Sequence, residues 1–291
     1  MPFIVGAPRS GTTMLRLMLD AHPELAIPPE TGFLSLMPGL SGRGNVLRER
    51  FFQAVTTFPA SAPAWDDFQI PAEDFRARLG EIRPFRIAEG IRLFYRLYAA
   101  RFSKPRWGDK TPLYSRHLPL IQRLLPEARF IHIVRDGRDA AVSLRERWFS
   151  PGHDIAVQAA FWRDHVMAAR QDGRACRHFL EIRFEDLVRD PEPVLRRICD
   201  FIALEPRPEM LRYPERAAQR LEEHGARHTA DGAVLVSREE RSRQQVHSRR
   251  PPDPAKIGVW RRELSTGEAR RFEEIAGNLL AVYGYAEPAS G

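Results

Sequence analysis

The chain has little cysteine: 2 residues in 291, Cys176 and Cys199, with no C-x-x-C pair and no His-Cys cluster. That argues against a disulfide framework and a zinc site, and both thiols are expected in the interior. No apolar run approaches membrane-spanning length, and the first residues read as a core strand rather than a signal peptide. A soluble, cytoplasmic protein without a membrane partner is therefore expected. Helix-turn-helix, zinc-finger and heptad patterns are also missing. Net charge is +7 with pI ≈ 9.9, a balance that raises the question of a polyanion. The arginines are spread along the chain, so a small polyanionic ligand is expected and nucleic acid is not. Hydrophobic residues at 43% and charged residues at 29% are ordinary for a globular protein. The length suits one large α/β domain or two small ones.

A further absence is local. Phe3-Ile4-Val5 reads as a buried parallel strand, and Gly6 and Gly11 then bracket four residues before Thr12-Thr13. The spacing is that of the phosphate loop G-x-x-x-x-G-K-[ST], with Thr12 where the lysine belongs. The glycines still permit a nest of backbone N–H groups, and a following helix N-terminus favours an anion. The cation that reaches the β- and γ-phosphates of a triphosphate is gone, and Arg9 stands at the apex instead. The loop reads either as a site for another anion or as an ordinary strand-to-helix turn with an exposed arginine.

Further along, strands alternate with helices. A helix over 12–21 carries Met14, Leu15, Met18 and Leu19 on one face, a short strand follows at 25–27, and a helix is expected from Gly32. Residues 38–83 are broken by Gly, Ser and Pro, with helices near 46–57 and 72–80; this reads as a variable surface insertion. Ile87, Ile91, Phe94, Tyr95, Tyr98 and Phe102 form a helical core stripe. Strands are expected near 107–112, at 128–134 and at 178–183, and helices at 113–125, 153–171, 192–203 and 265–283. His132 reads as a core-edge residue. The stretch 222–256 is polar and basic, and reads as a flexible loop. The fold class is α/β, a single doubly wound domain over 1–291 with a mostly parallel central sheet. Ligands of such sheets bind at the carboxyl ends of strands, where the loops at 6–12, 108–112 and 135–143 begin.

Three separated blocks give a more specific reading. Pro8-Arg9-Ser10-Gly11-Thr12-Thr13, then Arg135 with Ser143 eight residues on, then Phe184-Glu185-Asp186-Leu187 with Asp190-Pro191, together resemble the sulfotransferases that use 3′-phosphoadenosine 5′-phosphosulfate. The likeness runs from residue 3 to about 203, with an echo at Trp260-Arg261, and leaves out 38–83. It implies that Arg9, Ser10, Gly11, Thr12 and Thr13 hold the 5′-phosphosulfate, and that Arg135 and Ser143 hold the 3′-phosphate; Arg147, one helical turn beyond Ser143, is expected to face the same phosphate. Phe184 lies at the nucleotide in place of a tyrosine. No metal is implied.

Within that family the motif pattern is most similar to protein-tyrosine sulfotransferases and their bacterial relatives. The helix Thr13–Pro23, Glu30-Thr31, Lys110 in D-K-T-P, and Glu240-Arg241-Ser242 carry the similarity. It implies Glu30 as catalytic base and Lys110, Arg9 and Ser242 as groups stabilising developing charge. Gly32 and Phe33 stand where those enzymes carry a basic residue, so the resemblance does not extend to acidic-peptide recognition. The expected reaction moves a sulfuryl group to an acceptor hydroxyl, whether tyrosyl or phenolic, of a small molecule or of a glycan, releasing adenosine 3′,5′-bisphosphate. A nucleotide kinase with a degenerate phosphate loop and a non-catalytic polyanion-binding module are the alternatives. Oligomeric state is open, a homodimer being one option.

Overall fold

Phe3, Ile4 and Val5 are wholly excluded from solvent and form, in a computed structural model, the inner strand β1 (Pro2–Val5). The structure describes residues 1–147, 149–229 and 231–286, without the side chain of His247. A helix α1 (Thr12–Asp20) and a two-residue strand β2 (Leu25–Ala26) follow. The region 38–83 contributes α2 (Gly44–Thr56) and α3 (Ala72–Glu81), and α4 (Ile87–Ala100) closes the first third. Then come β3 (Arg106–Trp107), β4 (Asp109–Lys110), α5 (Leu118–Leu124) and β5 (Arg129–Val134). After these lie α6 (Gly137–Arg145), α7 (Ile155–Gly173), β6 (Phe179–Arg183), α8 (Phe184–Arg189) and α9 (Pro191–Ile202).

The main sheet has the order β4-β1-β5-β6 with every neighbouring pair parallel. This is the mostly parallel α/β sheet that the sequence predicts. Alternation along β1 divides the core. Phe3 and Val5 face a cluster with Phe33, Phe51, Phe75, Phe94 and Tyr95, whereas Ile4 faces Met18, Leu19, Ile131 and Ile198 across the sheet. A third cluster under α6 and α7 receives the last helix through Phe272 and Leu280.

Five readings from sequence need revision. The 38–83 region is core rather than surface decoration: Phe51, Phe52, Phe68, Phe75 and Leu79 are buried in the cluster that covers β1. Its prolines and glycines punctuate short helices whose aromatic faces pack together, a pattern too interrupted for periodicity to reveal. The helix expected from Gly32 is a 3₁₀ turn, Phe33–Gly39, with Pro38 inside it. The 222–256 stretch carries a hairpin, β7 (Arg227–His228) with β8 (Val234–Val236), and then α11 (Arg238–Gln244) behind α10 (Pro214–Leu221). Composition suggested a loop because its arginines look solvated, yet Arg227 and Arg241 both pair with the buried Asp67. Cys199 is buried but Cys176 is only half-buried. His132 sits in the core with its ring 3.3 Å from Glu181.

The chain closes through α12 (Trp260–Glu263) and α13 (Thr266–Val282), the latter started by a Ser265–Glu268 capping box. Arg138 fastens this end: its guanidinium lies 3.7 Å over Trp260 and donates to Asp136, Glu273 and the Tyr285 carbonyl.

The tightest backbone approach is at Gly6, where a Cβ would lie 2.5 Å from the Ile133 carbonyl oxygen in β5. Neither strand can retreat without breaking its ladder. Gly6→Ala is expected to cost about 2 kcal/mol or more in chemical denaturation, as overpacking of a core does. An unchanged denaturation midpoint would show that the loop accommodates the methyl group.

Candidate active site

Residues 9–13 follow β1, Lys110 ends β4, Arg135 follows β5, Phe184 follows β6, and Glu30 comes from the segment after β2. After β1 the chain turns sharply: Arg9 has φ 71 and Gly11 has φ 93, both left-handed. A Cβ on Gly11 would sit 2.4 Å from the Phe184 ring, so glycine is needed for closeness as well as conformation. α1 then starts with no side-chain cap, leaving its first amides directed into the loop. Ser10 is fully buried, and its Oγ has no hydrogen-bond partner.

Three guanidinium groups converge here. Arg9 Nε donates to Ser143 Oγ at 3.0 Å, which joins the first block to the second. Arg135, leaving β5, donates to the Arg9 carbonyl at 3.3 Å and the Lys256 carbonyl at 2.7 Å. Its guanidinium lies 4.6 Å from the Phe184 ring centroid, and its Nε is buried without a partner. Arg147 sits one turn past Ser143 and donates to the Ser143 carbonyl at 3.3 Å. Burial and the Arg147 and Arg135 charges push the Arg9 pKa down to about 10, with Glu30 opposing. Arg9 stays cationic at neutral pH, but it is short of compensating negative charge.

Glu30 and Lys110 form a second centre beside the first. Lys110 Nζ donates to Glu30 Oε1 at 2.6 Å and lies 3.4 Å from Thr13 Oγ1 on α1. The ammonium is enclosed while the carboxylate is 53% exposed, so the pair presents its oxygen outward. Burial pushes the Lys110 pKa down and Glu30 pulls it back. Ser242, on α11, accepts from Arg249 Nη2 at 2.6 Å. Among the described residues no hydrogen bond joins it to Arg9, Glu30 or Lys110.

Sequence reasoning missed the supports. Thr31, next to Glu30, donates to Asp109 Oδ2 at 2.8 Å and takes Thr111 and Tyr114 as further partners. Tyr95 adds a bond to the same carboxylate oxygen. Glu185, in the third block, accepts from the Asp136 amide at 3.0 Å and from Tyr285 Oη at 2.5 Å, so it grips the turn just after Arg135. Asp139 accepts from the Gly258 and Trp260 amides and so holds the segment whose Lys256 carbonyl meets Arg135. His224 lies near Lys110, and burial with the charges of Arg241, Arg16, Lys110 and Arg227 pushes its pKa well below the usual imidazole value. The acidic letters in R-D-G-R-D and F-E-D-L were the available signal; only the fold shows what they hold.

A cavity of about 570 Å³ opens among Phe52, Thr56, Trp65, Asp66 and Arg76 and contains none of these groups, while one of about 320 Å³ is lined by Asp136, Asp139, Glu185 and Tyr285. Among the described residues no cluster of three or more His, Cys, Asp or Glu is placed to hold a metal. No described helix is long and apolar enough to cross a membrane.

A model of the sulfotransferase family matches residues 3–209. The chain is 27% identical to nodulation protein NoeE of Sinorhizobium fredii over 98% of its own length and 66% of that protein. It is 27% identical to a putative protein-tyrosine sulfotransferase of Caenorhabditis briggsae, covering 73% of this chain and 69% of that one. Against the Drosophila melanogaster protein-tyrosine sulfotransferase the identity is 25%, over 97% of this chain and 51% of the relative. The chain thus spans about half to two thirds of the length of these relatives. In fold it is similar to the sulfotransferase domain of the Synechococcus PCC 7002 olefin synthase, with TM-score 0.62 and 23% identity over 99% and 95% of the two chains. Mouse sulfotransferase SULT7A1 complexed with PAP gives TM-score 0.51 at 16% identity, over 98% and 89%.

Asp109 carries a pH signature. Burial raises its pKa to about 6 from 3.8, against the hydrogen bonds of Thr31, Tyr95 and Thr111 and the Lys110 charge. A raised folded-state carboxyl pKa favours the fold at low pH, and that contribution is lost as pH rises from about 4 to about 6. Relative to the parent protein, Asp109→Asn is expected to gain about 2 kcal/mol of unfolding free energy between pH 4.5 and pH 7.5. Parallel stability-versus-pH curves for the two proteins would refute the assignment.

Proposed function

The chain belongs to the sulfotransferase family, and on that premise we propose that it transfers a sulfuryl group from 3′-phosphoadenosine 5′-phosphosulfate to an acceptor hydroxyl. The observation that carries this reading is the convergence of Arg9, Arg135 and Arg147 on a loop with a partnerless buried hydroxyl at Ser10. Such crowding of like charge fits a polyanion with two separated phosphate groups. The residues present fit the donor. Arg9, the buried Ser10 hydroxyl and the amides of Gly11, Thr12 and Thr13 would hold its phosphosulfate end, helped by the positive end of α1. Arg135, Ser143 and Arg147 would hold the 3′-phosphate, with one cation free to exchange the Lys256 carbonyl for a phosphate oxygen. Phe184 supplies a ring under Arg135 where a tyrosine would add a hydroxyl.

When bound, the donor supplies an activated sulfur whose bond to the bridging phosphate oxygen breaks as the acceptor oxygen bonds to it. This chain's groups do the rest. Glu30 takes the acceptor proton, since its carboxylate faces outward beside the loop. Lys110, already within reach of Thr13, stabilises charge growing on the sulfuryl oxygens and on the leaving phosphate oxygen, together with Arg9. Ser242 is a third group proposed for that charge. The products are a sulfate ester and adenosine 3′,5′-bisphosphate. The acceptor is a hydroxyl compound: a tyrosyl or phenolic group, a small molecule or a glycan.

Adenosine 3′,5′-bisphosphate is expected to raise the melting temperature without added metal. Arg135→Ala is expected to weaken its binding roughly 10- to 100-fold in titration calorimetry. Glu30→Gln should bind it normally while losing roughly 100-fold or more in turnover, measured with labelled donor against phenols, tyrosyl peptides and sugars. A thermal shift with ATP and magnesium but none with the bisphosphate would overturn the proposal in favour of a kinase.

A further inference from the structure

α1 is buried at every position from Thr12 to Asp20 except Thr13. Two of its enclosed side chains are charged: Arg16 is fully buried and Asp20 is 3% exposed. Arg220, near the end of α10, forks onto Asp20, with Nε to Oδ2 at 2.7 Å and Nη2 to Oδ1 at 3.0 Å. Arg220 also donates to Glu223 at 2.7 Å and to Tyr98 Oη at 2.7 Å, and Tyr98 donates to Glu223 at 2.8 Å. Arg16 Nη2 reaches Glu223 at 3.4 Å. Arg16, Arg220, Asp20 and Glu223 thus form an interior quartet of two cations and two anions, with Arg101 reaching Glu223 at 3.4 Å from its more exposed edge.

Burying such a quartet is a poor route to stability, because apolar residues of similar volume would serve as well or better. Its geometry suggests what it does. Ile27 lies just beyond β2, where strand pairing ends and a buried peptide must find other partners. Its amide donates to Asp20 Oδ1 at 2.8 Å, and its carbonyl accepts from Arg16 Nε at 2.9 Å and from Arg220 Nη2 at 3.4 Å. Both backbone polar groups of this one residue are therefore held by side chains of the quartet. Pro28 and Pro29 follow, each with φ fixed by its ring, and then Glu30.

We propose that the Asp20–Arg220–Glu223–Arg16 quartet is a positioning device for Glu30. It fixes Ile27 to the same helix whose amino end forms the phosphate loop, and Pro28-Pro29 carry that placement to the carboxylate. These are positioning residues acting through Ile27. The inference rests on Glu30 being the base of the proposed reaction.

The test uses the full chain in two double variants. Asp20→Leu with Arg220→Met removes both charges and the acceptor for Ile27. Asp20→Asn with Arg220→Gln removes the charges but keeps an oxygen for the Ile27 amide. Hydrogen exchange at Ile27 and Thr31 is expected to speed up roughly tenfold or more in the first pair and much less in the second, with affinity for adenosine 3′,5′-bisphosphate within about threefold of the parent. NMR of isotope-labelled lysine, read at Lys110 Nζ, should show a disturbed Glu30 pair only in the first. Unchanged exchange at residues 25–31 with an unchanged Lys110 signal would overturn the proposal. So would faster exchange spread equally over β1 and β5 with lost nucleotide affinity, which marks general support. Tyr98→Phe, which deletes one hydroxyl of the network, is read by the same criteria should the first pair not fold. Glu30→Gln, expected to keep Ile27 protected, tests the base assignment separately: its retaining turnover would sink that assignment and leave the placement of Ile27 standing.

Discussion

Much in this structure follows from three guanidinium groups held near one another, of which Arg135 has Asp139 at 3.8 Å while Arg9 has no ion pair among the described residues. Arg9 is disfavoured by both Arg147 and Arg135, and no folding benefit comes from that arrangement. The surrounding structure keeps it in place by other means. Glu185 and Asp139 brace the turn that carries Arg135, Phe184 lies against its guanidinium, and the left-handed Arg9 is closed by Gly11 packed on the same ring. The site is strained in charge rather than in packing. A dianionic group entering it would remove repulsion that the unliganded protein must carry, which links affinity directly to that repulsion.

That constraint was legible in part from sequence. The glycine spacing marked the turn from β1 into α1, and β1 and β5 were readable because parallel strands buried on both faces are continuous apolar runs. The Arg9–Ser143 hydrogen bond joins residues 134 positions apart, so only the pairing of β1 with β5 makes their proximity physical. The supports were not legible. Glu185 and Asp139 have no periodic or motif signature of their own as braces, because what each holds is a backbone amide, and any residue supplies one.

The aromatic region at 38–83 failed for a different reason. Its helices were expected, but the prolines and glycines between them read as surface punctuation, and sequence cannot show that Phe51, Phe52 and Val55 of α2 meet Phe75 and Leu79 of α3 in one core. Burial there is shared among Phe51, Phe75, Trp65 and Phe94, which contact one another as rings from separate elements. Likewise the arginines of 222–256 looked solvated, since sequence cannot show that Asp67 is waiting in the core for two of them. Arginine density in that stretch reports an interface within the fold.

The polarity of α1 draws these threads together. Its amino end, with free amides, suits an anion, and its carboxyl end carries Asp20, which the helix dipole disfavours. Cations offset that cost: Arg220 and Lys104 meet Asp20 and the last turn, Lys104 through the Asp20 and Leu25 carbonyls. Although burial works the other way, the charges of Arg220, Lys104 and Arg16 hold the Asp20 carboxyl below its ordinary range. The helix is therefore anchored by charge at one end and open to charge at the other. An in-line transfer tolerates little error between donor and base. For the proposed reaction, referring both to one short helix, the donor through its first turn and the base through Ile27, would keep that error to the flexibility of two prolines and one side chain.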